Sequence, residues 1–296
     1  MPENDDPPAP GFTDAPSTKL LTDQPQPARV YNALLGGKDN FPADREAAKE
    51  ALAAFPTVMT GVRENRDFLR RAVRYCAEQG VRQFLDIGTG VPDEGSTHEV
   101  AQAAAGEDPT TVVYVDNDPI VLVHARALLQ GTGPCRTFYL DADLRDPQLI
   151  LEQARRHLDF ERPLALMLVA VLHFLEDSDD PYGIVAHLLA ALPAGSLLVI
   201  SHVTADYRPA EIKRLIATYR ERGMSAQARS REEIDRFVEG LELVAPGVQS
   251  VARWNPDPDP DRVLPDAAAV SCFGVVARKP GAAPSTAPAS AAGGLT

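Results

Sequence analysis

Two kinds of apolar run alternate along the chain. Residues 83–87, 111–115, 136–140, 164–171 and 196–202 are short stretches that are apolar or β-branched nearly throughout, without the alternation of a half-exposed strand. Runs of this kind predict strands covered on both faces. Between them, apolar residues recur three and four apart, which predicts helices over 63–78, 96–105, 119–129, 147–158, 181–192, 209–222 and 231–238. In the first of these Phe68, Leu69, Ala72, Val73 and Cys76 lie near one face, and Gly80 follows as a stop. Ser96 and Glu99 have the spacing of a capping box, and Pro119 stands in a first turn, where its missing N–H does no harm. Residues 241–244 and 269–277 predict two closing strands with no helix between them, hence an antiparallel edge. Strands alternating with helices predict an α/β fold: a doubly wound, mostly parallel sheet with helices on both faces.

Composition narrows this picture. The chain has 296 residues, 44% of them hydrophobic, enough for one large α/β domain. Residues 1–27 are rich in Pro, Asp and Thr, and 280–296 in Ala, Pro, Ser and Gly, so both are expected to be disordered tails around a domain at 28–279. A net charge of -13 argues against nucleic acid as a partner, because binding it needs a positive face. Arg63, Arg66, Arg70, Arg71 and Arg74 recur in one helical stretch and read as a solvated helix face. Cys76, Cys135 and Cys272 are few and widely spaced, which suggests reduced thiols rather than a zinc site or disulfides. The longest apolar run, 164–175, is shorter than the roughly 18 residues of a membrane span and contains His173. The expectation is a cytoplasmic protein with no membrane partner and no metal; the pattern specifies no oligomeric state.

The strongest chemical signal is Phe84-Leu85-Asp86-Ile87-Gly88-Thr89-Gly90-Val91-Pro92. An apolar strand ends in an acid and turns through two glycines, which let a ligand approach the backbone. The helix expected from Ser96 would turn free N–H groups and a positive dipole end towards an anion. The next strand ends Val115-Asp116-Asn117-Asp118-Pro119, where Asp116 can accept hydrogen bonds from a ribose diol and Asp118 caps the following helix. The third ends Asp141-Ala142-Asp143-Leu144, where Asp143 (or Asp141) can accept from an adenine amino group and the Leu144 N–H can donate to a ring nitrogen.

Asp86 to Gly90, Asp116 and Asp143, each at a successive strand end, resemble the Rossmann-like S-adenosylmethionine (SAM)-dependent methyltransferases. Leu166 to Phe174 looks like that class's fourth strand beside the methyl-transfer site, which brings Ala170 to the cofactor, and Pro193 to Ser201 looks like its fifth. Tyr31-Asn32-Ala33-Leu34-Leu35-Gly36-Gly37-Lys38-Asp39-Asn40-Phe41 with Asp44 and Arg45, His98 to Gln102, Pro246-Gly247 and Arg253-Trp254 are similar to one bacterial branch, described as S-adenosyl methyltransferase of unknown substrate. The loop departs from the class in lacking a third glycine, and Ser96 stands where the branch usually has Asn. The resemblance, running from about Ala28 to Lys279, implies a seven-stranded Rossmann-like sheet with an antiparallel edge strand and an N-terminal helical cap over 28–80. It implies SAM as cofactor and an acceptor expected to be a small molecule.

Expected cofactor contacts are Asp86, Gly88, Thr89, Gly90, Asp116, Asn117, Asp143, Leu144 and Ala170. The Gly36-Gly37 turn could lid the cofactor, with Lys38 or Asn40 near the methionine end and Arg66 on its carboxylate; the plainer reading is two helices joined by a turn. Tyr31 and Phe174 are candidate aromatic walls for the sulfonium or acceptor, the plainer reading of each being core packing. His173 is the first candidate for a base and His202 the second, needed only if the acceptor must lose a proton; the other reading of His173 is a helix-terminal or partly buried histidine with a structural hydrogen bond. Two other classes are alternatives: a non-catalytic SAM-binding module, and a nicotinamide-dependent oxidoreductase, whose GxGxxG fingerprint would need glycine where Asp93 stands.

Overall fold

The computed structural model describes residues 22–92, 94–128, 133–259 and 261–281. Of the expected tails, residues 1–21 and 282–296 lie outside the described residues, as do Asp93 and Leu129. Residues 22–27 belong to the packed part instead: Pro25 is buried, and the Gln26 N–H donates to Asp44 Oδ1 at 3.0 Å.

The described helices are α1 (Pro27–Leu34), α2 (Pro42–Ala54), α3 (Val58–Glu78), α4 (Thr97–Ala105), α5 (Pro119–Leu128), α6 (Pro147–Ala154), α7 (Pro181–Ala190), α8 (Pro209–Glu221), α9 (Arg231–Asp235) and α10 (Ala267–Val270). The strands are β1 (Gln83–Ile87), β2 (Thr111–Asp116), β3 (Arg136–Asp141), β4 (Ala165–Val169), β5 (Leu197–Val203), β6 (Glu242–Leu243), β7 (Gln249–Ser250) and β8 (Cys272–Arg278). They form one sheet in the order β3-β2-β1-β4-β5-β8-β6, with β7 also paired to β8. β1 to β5 run parallel, while β8 pairs antiparallel with β5, β6 and β7. The seven-strand expectation misses β7, a two-residue strand. The chain builds outward from β1 to β3, then returns to β4 on the other side of β1. That reversal opens a crevice at the carboxyl ends of the strands.

Consecutive strand residues feed opposite layers, as the pleat requires. Leu85, Val113, Leu166 and Leu198 pack with Ile150 of α6 and Ile184 and Leu188 of α7. Phe84, Val112, Met167 and Val199 pack with Phe68, Ala72 and Cys76 of α3 and Ala101 of α4. Each such side chain contributes roughly 1.5 to 3 kcal/mol by leaving water. A third cluster joins α1, α2 and the start of α3 to Ile212 and Leu215 of α8, and a two-point ion pair between Glu50 and Arg222 adds to that join.

Three expectations are corrected. α6 stops at Ala154, four residues early, because the chain turns there: the His157 and Leu158 N–H groups both donate to Ala154 O. The last strand starts at Cys272, because Asp266 caps a short helix over residues 267–270. The arginines of α3 are not one solvated face. Arg71 is buried and donates to the carbonyls of Trp254 and Val251 at 3.0 and 2.6 Å, whereas Arg74 pairs with Asp257 at the surface.

Candidate active site

A cleft of about 370 Å³ lies at the carboxyl ends of β1 to β4, within the size range of small-ligand sites. Its floor is the turn after β1. Gly88 has φ +77°, and a Cβ there would lie 2.6 Å from Val171 Cγ2, so glycine is required twice over. The Gly88 and Thr89 N–H groups donate to Val115 O at 2.8 and 3.2 Å, and Thr89 Oγ1 donates to Asp86 O at 3.1 Å. Gly90 has φ +69°, and a side chain there would project into open space, so its backbone faces the cleft.

Two buried carboxylates organise this floor. Asp86 accepts from Thr97 Oγ1 at 2.6 Å, tying β1 to the first turn of α4. Burial pushes its carboxyl up to about 6, against the pull of the Thr97 hydrogen bond and the nearby charge of Arg66. Asp116 accepts the Gly90 N–H at 2.9 Å on one oxygen and the Asp118 N–H at 2.9 Å on the other. Burial pushes it up to about 6 as well, opposed by those N–H bonds. Each oxygen has one lone pair left for a ligand hydroxyl. Asp143, half-buried beyond β3, accepts from Asn117 Nδ2 at 2.8 Å and from the Arg145 N–H at 2.9 Å.

Asp86, Gly88, Thr89, Gly90, Asp116, Asn117, Asp143, Leu144, Ala170, Tyr31 and Arg66 all line this one cleft. Ala170 is held at φ +55°, and its N–H donates to Ser201 Oγ at 2.9 Å. Lys38 and Asn40 are outside the lining. Lys38 is exposed, and Asn40 Nδ2 donates to Asn32 Oδ1 at 2.8 Å and Gly37 O at 2.9 Å, so this asparagine closes the turn between α1 and α2. The cap reaches the cleft instead through Gln24 to Ala28, Tyr31, Asn32 and Leu35.

Two further residues escaped the sequence reading. Arg29, 1% exposed, pairs with Asp118 Oδ2 at 3.2 Å and Asp44 Oδ1 at 3.6 Å, tying α1 and α2 to the loop that holds Asp116. Asn65 is 4% exposed and lines the cleft. The signal for it was present: Asn65 lies on the apolar stripe of α3, between Val62 and Leu69, where a polar residue needs a reason.

His173 faces a second, smaller cavity of about 90 Å³ that shares Pro27, Tyr31, Asn65, Ala170 and Phe174 with the cleft. It sits in a single 3-10 turn, Leu172–Phe174, just past β4. Burial and the charge of Arg229 push its imidazole down to about 3, and its Nδ1 has no hydrogen-bond partner among the described residues. His202 lines neither cavity. Its Nδ1 lies 2.8 Å from Val203 O, so that nitrogen carries the proton, and Nε2 accepts from Arg229 at 3.0 Å. Arg229, also fully buried, donates to the carbonyls of Leu172 and Leu175 and so fixes the turn carrying His173.

Over residues 13–280 the chain matches the family model described as S-adenosyl methyltransferase. It is similar to the crystal structure of a DUF574 family protein from Streptomyces avermitilis, with 44% identity, a TM-score of 0.83, and 88% of this chain and 100% of that one covered. It is also similar to a Thermobifida fusca protein provisionally assigned as a methyltransferase, with 42% identity, a TM-score of 0.79, and 90% of this chain and 100% of that one covered. No curated protein matches it. No helix among the described residues is long and apolar enough to cross a membrane.

Proposed function

The chain belongs to the S-adenosyl methyltransferase family, and we propose that the cleft at the ends of β1 to β4 is where it binds SAM and passes the methyl group to a small-molecule acceptor. One observation carries this assignment. Three successive parallel strands end in Gly88 and Gly90, Asp116, and Asp143, and these tips share one cleft. The groups present suit the cofactor's chemistry. Asp116 and Asp143 offer carboxylate acceptors for ribose hydroxyls and an adenine amino group, Gly90 leaves the backbone open, and Arg66 offers a cation for the methionine carboxylate.

When bound, SAM supplies a methyl group on a sulfonium together with its own leaving group. The protein's tasks are alignment and exclusion of water. Asp86 and Thr97 hold the glycine turn against α4, and the Arg29–Asp118 pair holds the cap against the nucleoside end. Tyr31 and Phe174 wall the junction with the second cavity, where aromatic faces favour a nearby cation. His173 is neutral throughout the physiological range, so it takes a proton only from a strongly acidic group, such as a hydroxyl oxygen as it is alkylated.

The three cysteines are free and buried, which suits a reducing compartment, and on that ground we infer a cytoplasmic location. Calorimetric titration with S-adenosylhomocysteine and, separately, NADH tests the cofactor assignment. S-Adenosylhomocysteine is expected to bind and NADH is not. Binding of NADH alone overturns it.

A further inference from the structure

We infer that the second cavity is the acceptor's site and that it selects a neutral O–H or N–H donor carried on a small apolar group. This rests on the cofactor assignment of the neighbouring cleft.

The two spaces differ in charge. The cleft is lined by Asp86, Asp116, Asp143 and Arg66 among others, whereas none of the residues lining the second cavity is Asp, Glu, Lys or Arg. Its one histidine stays neutral, because burial and Arg229 disfavour the imidazolium. A charged acceptor would therefore lose its hydration without gaining a counter-ion. The walls are apolar and aromatic, with Phe55, Val58, Leu215 and Tyr219 closing the space between α3 and α8.

Tyr31, Asn65, His173, Tyr219 and Ser271 interrupt this apolar wall, and for Asn65 the orientation of the side-chain amide is determined. Tyr31 Oη donates to Val62 O at 3.0 Å, and a carbonyl can only accept. The tyrosine oxygen must therefore accept from its other neighbour, Asn65, whose Nδ2 lies at 3.0 Å. That leaves Asn65 Oδ1 as an acceptor, buried and without a partner among the described residues, at the junction of the two spaces. An acceptor atom left unpaired in a buried wall calls for a donor. A methyl acceptor still carrying its proton satisfies it, and once methylated a hydroxyl cannot.

Size adds a limit. At about 90 Å³ the cavity is smaller than the roughly 150 Å³ that admits benzene, so it takes a short branched group whole or a ring with its edge in the shared mouth. On transfer to such a hydroxyl, the oxygen gains a bond to the methyl carbon. With SAM bound, the sulfur would keep the electron pair of the broken methyl–sulfonium bond, and the hydroxyl proton, held until then by Asn65 Oδ1, would pass to the His173 imidazole.

Phenol, anisole and benzoate, titrated into the full chain by NMR in the presence of S-adenosylhomocysteine, test this. Phenol is expected to bind about fivefold more tightly than anisole, the yield of one hydrogen bond. Benzoate is expected to bind at least about tenfold more weakly than phenol. Asn65→Leu removes the acceptor atom and is expected to erase the preference for phenol over anisole. Should that variant fail to fold, Ile216→Trp, filling the cavity from α8, is expected to abolish binding of both. Equal affinity for phenol and anisole, tight benzoate binding, or unchanged phenol binding in Ile216→Trp overturns the inference while leaving the cofactor assignment intact. Failure of S-adenosylhomocysteine itself to bind overturns the cofactor assignment and the inference with it.

Discussion

Lowering the pH from 7 to 5 is expected to weaken binding of S-adenosylhomocysteine about tenfold, through Asp116. Its carboxylate is 7% exposed, already accepts two backbone N–H groups, and is pushed up to about 6 by burial. A ribose hydroxyl donates to the ionised form, whereas protonation turns one of the two oxygens into a donor. Affinity therefore rises with pH through about 6 and levels off above it. One unit below that value only about one carboxyl in eleven is ionised, which sets the tenfold figure. Asp86 has a similarly raised value, but one of its oxygens is taken by Thr97, so a variant must separate the two. Asp116→Asn removes the charge and one acceptor. A charge-assisted hydrogen bond of roughly 1.5 to 3 kcal/mol converts to about a 10- to 150-fold loss of affinity at pH 7. The same variant should flatten the profile between pH 5 and 7, leaving only what Asp86 contributes. Isothermal titration at constant ionic strength measures both, with thermal unfolding alongside to check the fold. A wild-type dissociation constant that is the same at pH 5 and 7, or an Asp116→Asn variant within threefold of wild type, refutes the role given to Asp116.

The other predictions concern the fold around the cleft. Arg29→Met strands Asp118 and Asp44 without their cation and should cost about 3 to 5 kcal/mol in urea unfolding, with Arg29→Lys recovering part; a loss under 1 kcal/mol would sink the buried-pair argument. Gly88→Ala should destabilise more than Gly90→Ala, because both have positive φ but only Gly88 has Val171 in the way; equal melting shifts would contradict this. His173 is depressed in the folded state, so its contribution to stability is present above the unfolded pKa of about 6.5 and lost as pH falls towards about 3. Relative to His173→Gln, the wild type should lose about 1.4 kcal/mol per pH unit over that window, and denaturant titrations at several pH values will show whether the gap moves.

The parallel sheet was legible because β1, β2, β4 and β5 are buried on both faces and so carry nearly unbroken apolar runs, bounded by Gly, Pro and Asp. The strand-end acids were legible for the same reason: Asp86 interrupts its run at the last position but one and Asp116 at the last. Helix ends were harder to read. Leu158 continues the apolar period of α6 although the helix has already turned, since a buried residue in a turn obeys the same spacing. Arg29 and Arg229 were not read as site residues because their importance depends on partners far along the chain. Arg29 meets Asp118, and Arg229 meets Leu172 and Asp177, pairings that only the folded topology creates. The α3 arginines misled for a related reason: regular spacing of charge cannot distinguish a side chain in water from one, like Arg71, donating to buried carbonyls.

The contact from Arg29 to Asp118 lies one step from Asp116, the acid proposed to meet the ribose, since the Asp118 N–H holds Asp116, and Asp116 in turn holds Gly90. Any displacement of α1 and α2 would therefore be linked to occupation of the nucleoside end, and reciprocity would make their mutual effects equal. Whatever factor a seated cap adds to the cofactor's affinity, the seated cofactor adds to the closure of the cap. The lining supplied by Gln24 to Ala28 would then be completed when cofactor arrives and surrendered when spent cofactor departs.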